Sequence, residues 1–139
     1  MALAKATHMK RLLLVTAILE GSVGAAMVVS PAVMVTLLVG APLEGPAALT
    51  VARIGGAAIV ALGITNWFAT SDARSHAARG LVAAMFVYNV AAGLVLIYAG
   101  VGWGLYGIAL WPGVLLHAAM AVWCGACLRN SLDGSHSAV

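Results

Sequence analysis

Four long apolar runs, separated by short segments holding three of the four prolines, organise this chain. A membrane crossing needs about 20 predominantly apolar residues, and residues 12–29, 47–70, 78–99 and 105–128 each approach or exceed that length. The first run follows Lys10-Arg11 and stops at Ser30-Pro31, because proline cannot continue a helical hydrogen-bond ladder. The PAVMVTLLV segment after it is apolar but too short to cross. Pro31 suits a first helical position, so this segment predicts an interfacial turn of helix. GAPLEGP then reads as a loop. SDARSHAARG joins the second and third runs, with Ser71 or Asp72 as the expected cap of one or the other helix end. GVGWG joins the third and fourth. Pro112 is expected one or two turns inside the fourth helix, kinking it and freeing a backbone carbonyl.

Composition turns this pattern into a fold class. Charged residues make up only 8% of the 139 and hydrophobic ones 63%, whereas soluble domains carry about 25% charged residues. The expected fold is an all-α integral membrane protein, a four-transmembrane-helix antiparallel bundle. Residues 1–11 form an N-terminal tail, 12–128 a single membrane domain, and 129–139 a C-terminal tail. Lys5, Lys10, Arg11, Arg74, Arg79 and Arg129 all fall on one side of that arrangement. By the positive-inside rule both termini are cytoplasmic, and the loops with Glu44 and Trp103 lie outside. Trp67, Trp103, Tyr106, Trp111 and Trp123 fall near span ends, where aromatic side chains favour the interface.

The net charge of +3 involves no basic run that would grip nucleic acid. Membrane lipids are the expected partners, with a homodimer or a larger membrane complex as further possibilities. Ala17, Gly21 and Ala25, with Ala52, Gly56 and Gly63, form rows of small residues that let membrane helices approach closely. A signal-peptide reading of Lys10-Arg11 and the apolar residues after it is disfavoured. The run continues past Glu20, and no A-x-A site follows.

Each span carries one residue that hydrocarbon tolerates badly: Glu20, Arg53, Asn89 and His117. Such groups usually face a protein interior and mark function. Counted from the cytoplasmic ends at about 1.5 Å per residue, Glu20, Asn89 and His117 lie at roughly 13, 16 and 18 Å. Arg53 comes out nearer the outer side, at roughly 25 Å by the same rise. Its side chain reaches either inward, to pair with Glu20, or outward to the interface. Tyr88 lines an adjacent wall. The five are expected to form a binding site near mid-depth.

Trp123-Cys-Gly-Ala-Cys127 looks like a thioredoxin-type pentapeptide. That motif opens a helix, where the dipole helps stabilise a thiolate; here it closes one, so free thiols are expected and redox chemistry is disfavoured. Cys124 lies seven residues after His117, roughly 10 Å along the axis, too far to share one metal ion. No metal site is expected.

Glu20, Ala52-Arg-Ile-Gly-Gly56, Ala61-Leu-Gly63, Trp67, Tyr88-Asn89, Leu110-Trp-Pro112 and Leu116-His117 together resemble a group of small four-span bacterial inner-membrane proteins. The resemblance covers nearly all of residues 12–128. It implies a multi-pass protein of the inner membrane and a shared site, but no particular activity or cofactor. Two functions remain open. One is a minimal carrier, sensor or complex subunit that binds a small ligand or proton at the cluster. The other is a membrane enzyme acting on a lipid, isoprenoid or quinone, with Glu20 and His117 as acid and base.

Overall fold

The computed structural model describes the backbone of residues 2–132 and the side chains of 7–129. The Lys5 side chain and the tail beyond 132 lie outside the described residues. Among those described, all regular structure is helical. The order is α1 (Ala2–Val29), α2 (Pro31–Val39), α3 (Pro46–Ala69), a 3-10 turn (Thr70–Asp72), α4 (His76–Gly102) and α5 (Leu110–Leu132). Four of these helices are long and apolar enough to cross a membrane, with mean hydropathy between 1.5 and 2.2.

α1 begins ten residues before the apolar run does, because the polar segment ahead of Leu12 contains good helix formers and no breaker. α2 is the short helix expected after Ser30, with Pro31 in its first turn and Gly40 closing it in the left-handed conformation. α4 is capped by Ser75, whose hydroxyl accepts from the Ala78 N–H at 3.0 Å. Ser71 donates back to the Phe68 carbonyl, so it serves the end of α3, and the start of α4 falls to Ser75.

The fourth helix also departs from expectation. Residues 105–109 fold as a connection, and α5 starts at Leu110. Gly104 adopts φ +65°, and Gly107 lies so close to Leu38 that no side chain would fit. The Ala109 N–H donates to the Leu37 carbonyl at 2.9 Å. Pro112 therefore sits in the first turn of α5, where its missing N–H disturbs no ladder bond. The expected kink is absent for that reason. These contacts also bring the C-terminal end of α2 against the α4–α5 connection, at the end of the bundle carrying the Glu44 loop.

Most contacts between helices lie in two antiparallel pairs, α1 with α3 and α4 with α5. Backbone proximity defines the first seam. A Cβ added at Gly24 would meet Val60 N at 2.6 Å, and one at Gly63 would meet Gly21 N at 2.7 Å. The small-residue face of α1 thus runs through Gly24, while Ala25 is exposed. In the second pair, Val82, Met85, Asn89 and Leu96 on α4 are buried. Leu110, His117, Met120, Cys124 and Cys127 of α5 are spaced by seven, three, four and three residues along one stripe, as in the seam of a left-handed helix pair. The two pairs join at one end through a core of Met9, Leu12, Leu13, Val82, Met85, Met120 and Cys124.

Candidate functional site

One polar residue interrupts each stripe of the α4–α5 seam. Asn89 is 2% exposed, and its Nδ2 donates to the Met85 carbonyl at 2.8 Å, one turn back along α4. That bond fixes the amide orientation and leaves Oδ1 pointing across the seam. His117 Nδ1 lies 2.8 Å from Oδ1. An amide oxygen only accepts, so Nδ1 must carry the proton. The neutral ring then presents Nε2 as a bare acceptor, and Nε2 has no hydrogen-bond partner among the described residues. Gly93 borders this arrangement: a Cβ added there would make ordinary contact with His117 Cβ, at 3.7 Å.

Tyr88 connects this pair to α1. Its ring meets the His117 imidazole edge to face, with centroids 5.8 Å apart and planes at 79°. Its hydroxyl lies near the Glu20 carboxyl and interacts with it electrostatically. Leu13, Thr16 and Glu20 follow one another at helical spacing on α1, and Leu13 and Thr16 are fully buried. Glu20, Tyr88 and His117 are each half-buried, and Asn89 lies deepest. Four of the five expected residues are thus linked, directly or through one neighbour, across three helices.

Arg53 is placed elsewhere. Its Nε donates to the Val28 carbonyl at 3.3 Å, and the side chain is exposed. The cause is local. The last carbonyls of a helix lack intrahelical donors, and the Ser30-Pro31 break leaves Val28 without its usual one. Arg53, on the α1-facing side of α3, supplies it. Glu20 and Arg53 therefore have different partners, and the charges of Glu20→Gln and Arg53→Gln should act independently. Unfolding measured on both single variants and the double variant should give additive losses, within about 0.5 kcal/mol; substantial recovery in the double variant would contradict these placements.

Asn66, beside the span-end residue Trp67, was not among the expected site residues. Asn66 is 1% exposed. Its Nδ2 donates to the Leu62 carbonyl at 2.8 Å, and its Oδ1 has no partner among the described residues. The signal was present: Gly56, Gly63 and Asn66 are seven and three residues apart, which puts Asn66 on the seam-facing stripe of α3. Both cysteines are free thiols within the apolar core. α5 extends beyond them to Leu132, so they lie inside a helix and not at its start. Among the described residues, no group of three or more His, Cys, Asp and Glu side chains converges as a metal site would require. Compared with known proteins, the chain matches no family model, no curated protein and no solved structure.

Proposed function

We propose that this is a multi-pass membrane protein of the bacterial inner membrane, with both termini cytoplasmic, whose Glu20–Tyr88–His117–Asn89 cluster binds a proton or a small ligand. In this reading it works as a minimal carrier, a sensor or a subunit of a larger membrane complex. The four long apolar helices and the loop charges support the placement. One observation carries the function: the Asn89 amide, held by the Met85 carbonyl, fixes His117 with Nδ1 protonated and Nε2 free. A structural histidine in an apolar seam would gain most from having both nitrogens bonded. Here one nitrogen is anchored and the other is left as a base, which suits a group that takes up and releases a proton. Tyr88 lies between that base and the Glu20 carboxyl. Two acid–base groups are thereby set either side of a phenol, and ionisable groups at this depth are functional as a rule.

Nitrogen NMR of histidine-labelled protein in lipid nanodiscs tests the reading. Over about pH 4 to 9, which brackets ordinary Glu and His titration, His117 should keep its Nδ1 proton and gain one at Nε2. Its titration midpoint should move in Tyr88→Phe and Glu20→Gln. Asn89→Ala should release the ring into a mixture of tautomers. An Nε2–H tautomer in the wild type, or a ring that never titrates and ignores Glu20→Gln, would overturn the proposal.

A further inference from the structure

The α1–α3 pair has a second face, turned away from the polar cluster. It carries a groove of about 340 Å³, formed by Gly21, Ile18, Val60, Gly63, Ile64 and Trp67. That volume lies within the ~300–1,000 Å³ of ordinary small-molecule sites, and the lining is apolar throughout. Gly21 is the informative residue. Its neighbour across the seam, Gly63, has no space for a side chain, but a Cβ added at Gly21 meets nothing within 4 Å. Close helix approach therefore does not require glycine at position 21. What glycine does there is keep the groove floor low, between the exposed walls of Ile18, Ile64 and Trp67.

The groove leads to a basic end. On α1, Ile18, Leu14 and Arg11 follow at helical spacing, and all three are exposed. On α3, half-buried Val60 is followed at helical spacing by the exposed Ile64 and Trp67, and exposed Ser71 lies just beyond in the 3-10 turn. Lys10, Arg11 and Arg74 are exposed around that end, with Asp72 the acidic residue among them. Arg11 has no ion-pair or hydrogen-bond partner among the described residues.

We propose that this groove holds one acyl chain of an anionic phospholipid, with its headgroup phosphate at Arg11. The inference rests on the membrane-spanning reading given above. An apolar slot continuous with a cationic mouth matches a lipid's own division into chain and anionic head. A second copy of this chain fits less well. Ile18, Ile64 and Trp67 would hold a helix away from the floor, and a two-fold contact in one membrane orientation would set Arg11 against its own copy.

The test uses the full-length protein purified in detergent, with native mass spectrometry against phosphatidylglycerol and phosphatidylcholine of identical chains. Wild type should retain phosphatidylglycerol preferentially. Gly21→Leu should weaken retention of both lipids about tenfold, as losing a couple of buried methylenes would. Arg11→Gln should lose about fivefold for phosphatidylglycerol, the scale of one basic residue at a charged surface, and less for phosphatidylcholine, whose choline cation offsets the phosphate charge. Arg11→Gln lies outside the groove, so it carries the test even if Gly21→Leu fails to fold. Unchanged phosphatidylglycerol retention in Arg11→Gln, or in a folded Gly21→Leu, would overturn the proposal. So would competition by inorganic phosphate, or a wild-type dimer that Gly21→Leu abolishes. Resistance to carbonate extraction, measured alongside, separates failure of this proposal from failure of the membrane-spanning reading.

Discussion

Gly63→Val should be among the most damaging substitutions in the α1–α3 seam, leaving little folded protein. A Cβ at position 63 would lie 2.7 Å from Gly21 N, 3.0 Å from Gly21 Cα and 3.1 Å from the Ala17 carbonyl oxygen. These are backbone atoms and cannot rotate aside, so α1 and α3 would have to separate. Overpacking a seam ordinarily costs about 1–3 kcal/mol. In lipid, helix association depends on close packing, because burial against another helix brings no hydrophobic gain. The loss therefore falls where there is least to replace it. Gly21→Ala, directly across the seam, should do the opposite. It meets nothing within 4 Å, and replacing an interior helical glycine gains up to about 1 kcal/mol in propensity. Thermal unfolding in detergent, followed by circular dichroism, should separate the two variants in opposite directions from wild type. Equal responses would mean that the seam does not run through these positions.

The second large effect belongs to the Asn89–His117 pair. Asn89→Leu removes the acceptor for His117 Nδ1 and strands a donor inside an apolar seam, at a cost of about 1–3 kcal/mol. Measured interhelical hydrogen bonds in membranes are weaker, averaging ~0.6 kcal/mol with a maximum near 1.7. A loss of about 1–1.5 kcal/mol is therefore expected. Asn89→Leu combined with His117→Leu should recover most of it, since the remainder of both stripes is apolar and no orphan is left. The double variant would then be stable and unable to take up a proton at the site. A double variant less stable than either single one would make the pair a net stabiliser, and its retention would need no functional explanation.

The four long helices were legible because length and composition alone define them. Pro31 placed the first break correctly, since a proline after an apolar run has few other meanings. Pro112 misled for the complementary reason: the same residue serves a helix's first turn and kinks its interior. Which applies depends on where the helix starts, and the left-handed backbone of Gly104 and the close contact of Gly107 with Leu38 set that start, which no local pattern reveals. Depth was readable for the polar residues, and it correctly suggested that Asn89 and His117 share a layer. Azimuth was the missing coordinate for Arg53 and Asn66. Arg53 lies on the flank of α3 that faces the end of α1, so an unpaired carbonyl claimed it. Asn66 continues the Gly56–Gly63 stripe into the interior, although its position along the chain suggested an interface. Which helices would form close pairs was also hidden, because small residues are spread over every span.

Both close pairs are made within one half of the chain, and this has a consequence for synthesis. By the time the 3-10 turn at residues 70–72 has emerged, α1 already has α3 beside it, and the first half has its packing partners. α4 and α5 then arrive as a unit that also closes upon itself, over loops short enough to keep the entropy of closure small. The chain's own order leaves one group waiting across that interval. Glu20 is made early, and its partner Tyr88 belongs to the later half. In the membrane reading, an unfinished chain thus differs from a finished one in two ways: a carboxyl lacks its partner, and Met9, Leu12 and Leu13 lack the core that the later half supplies.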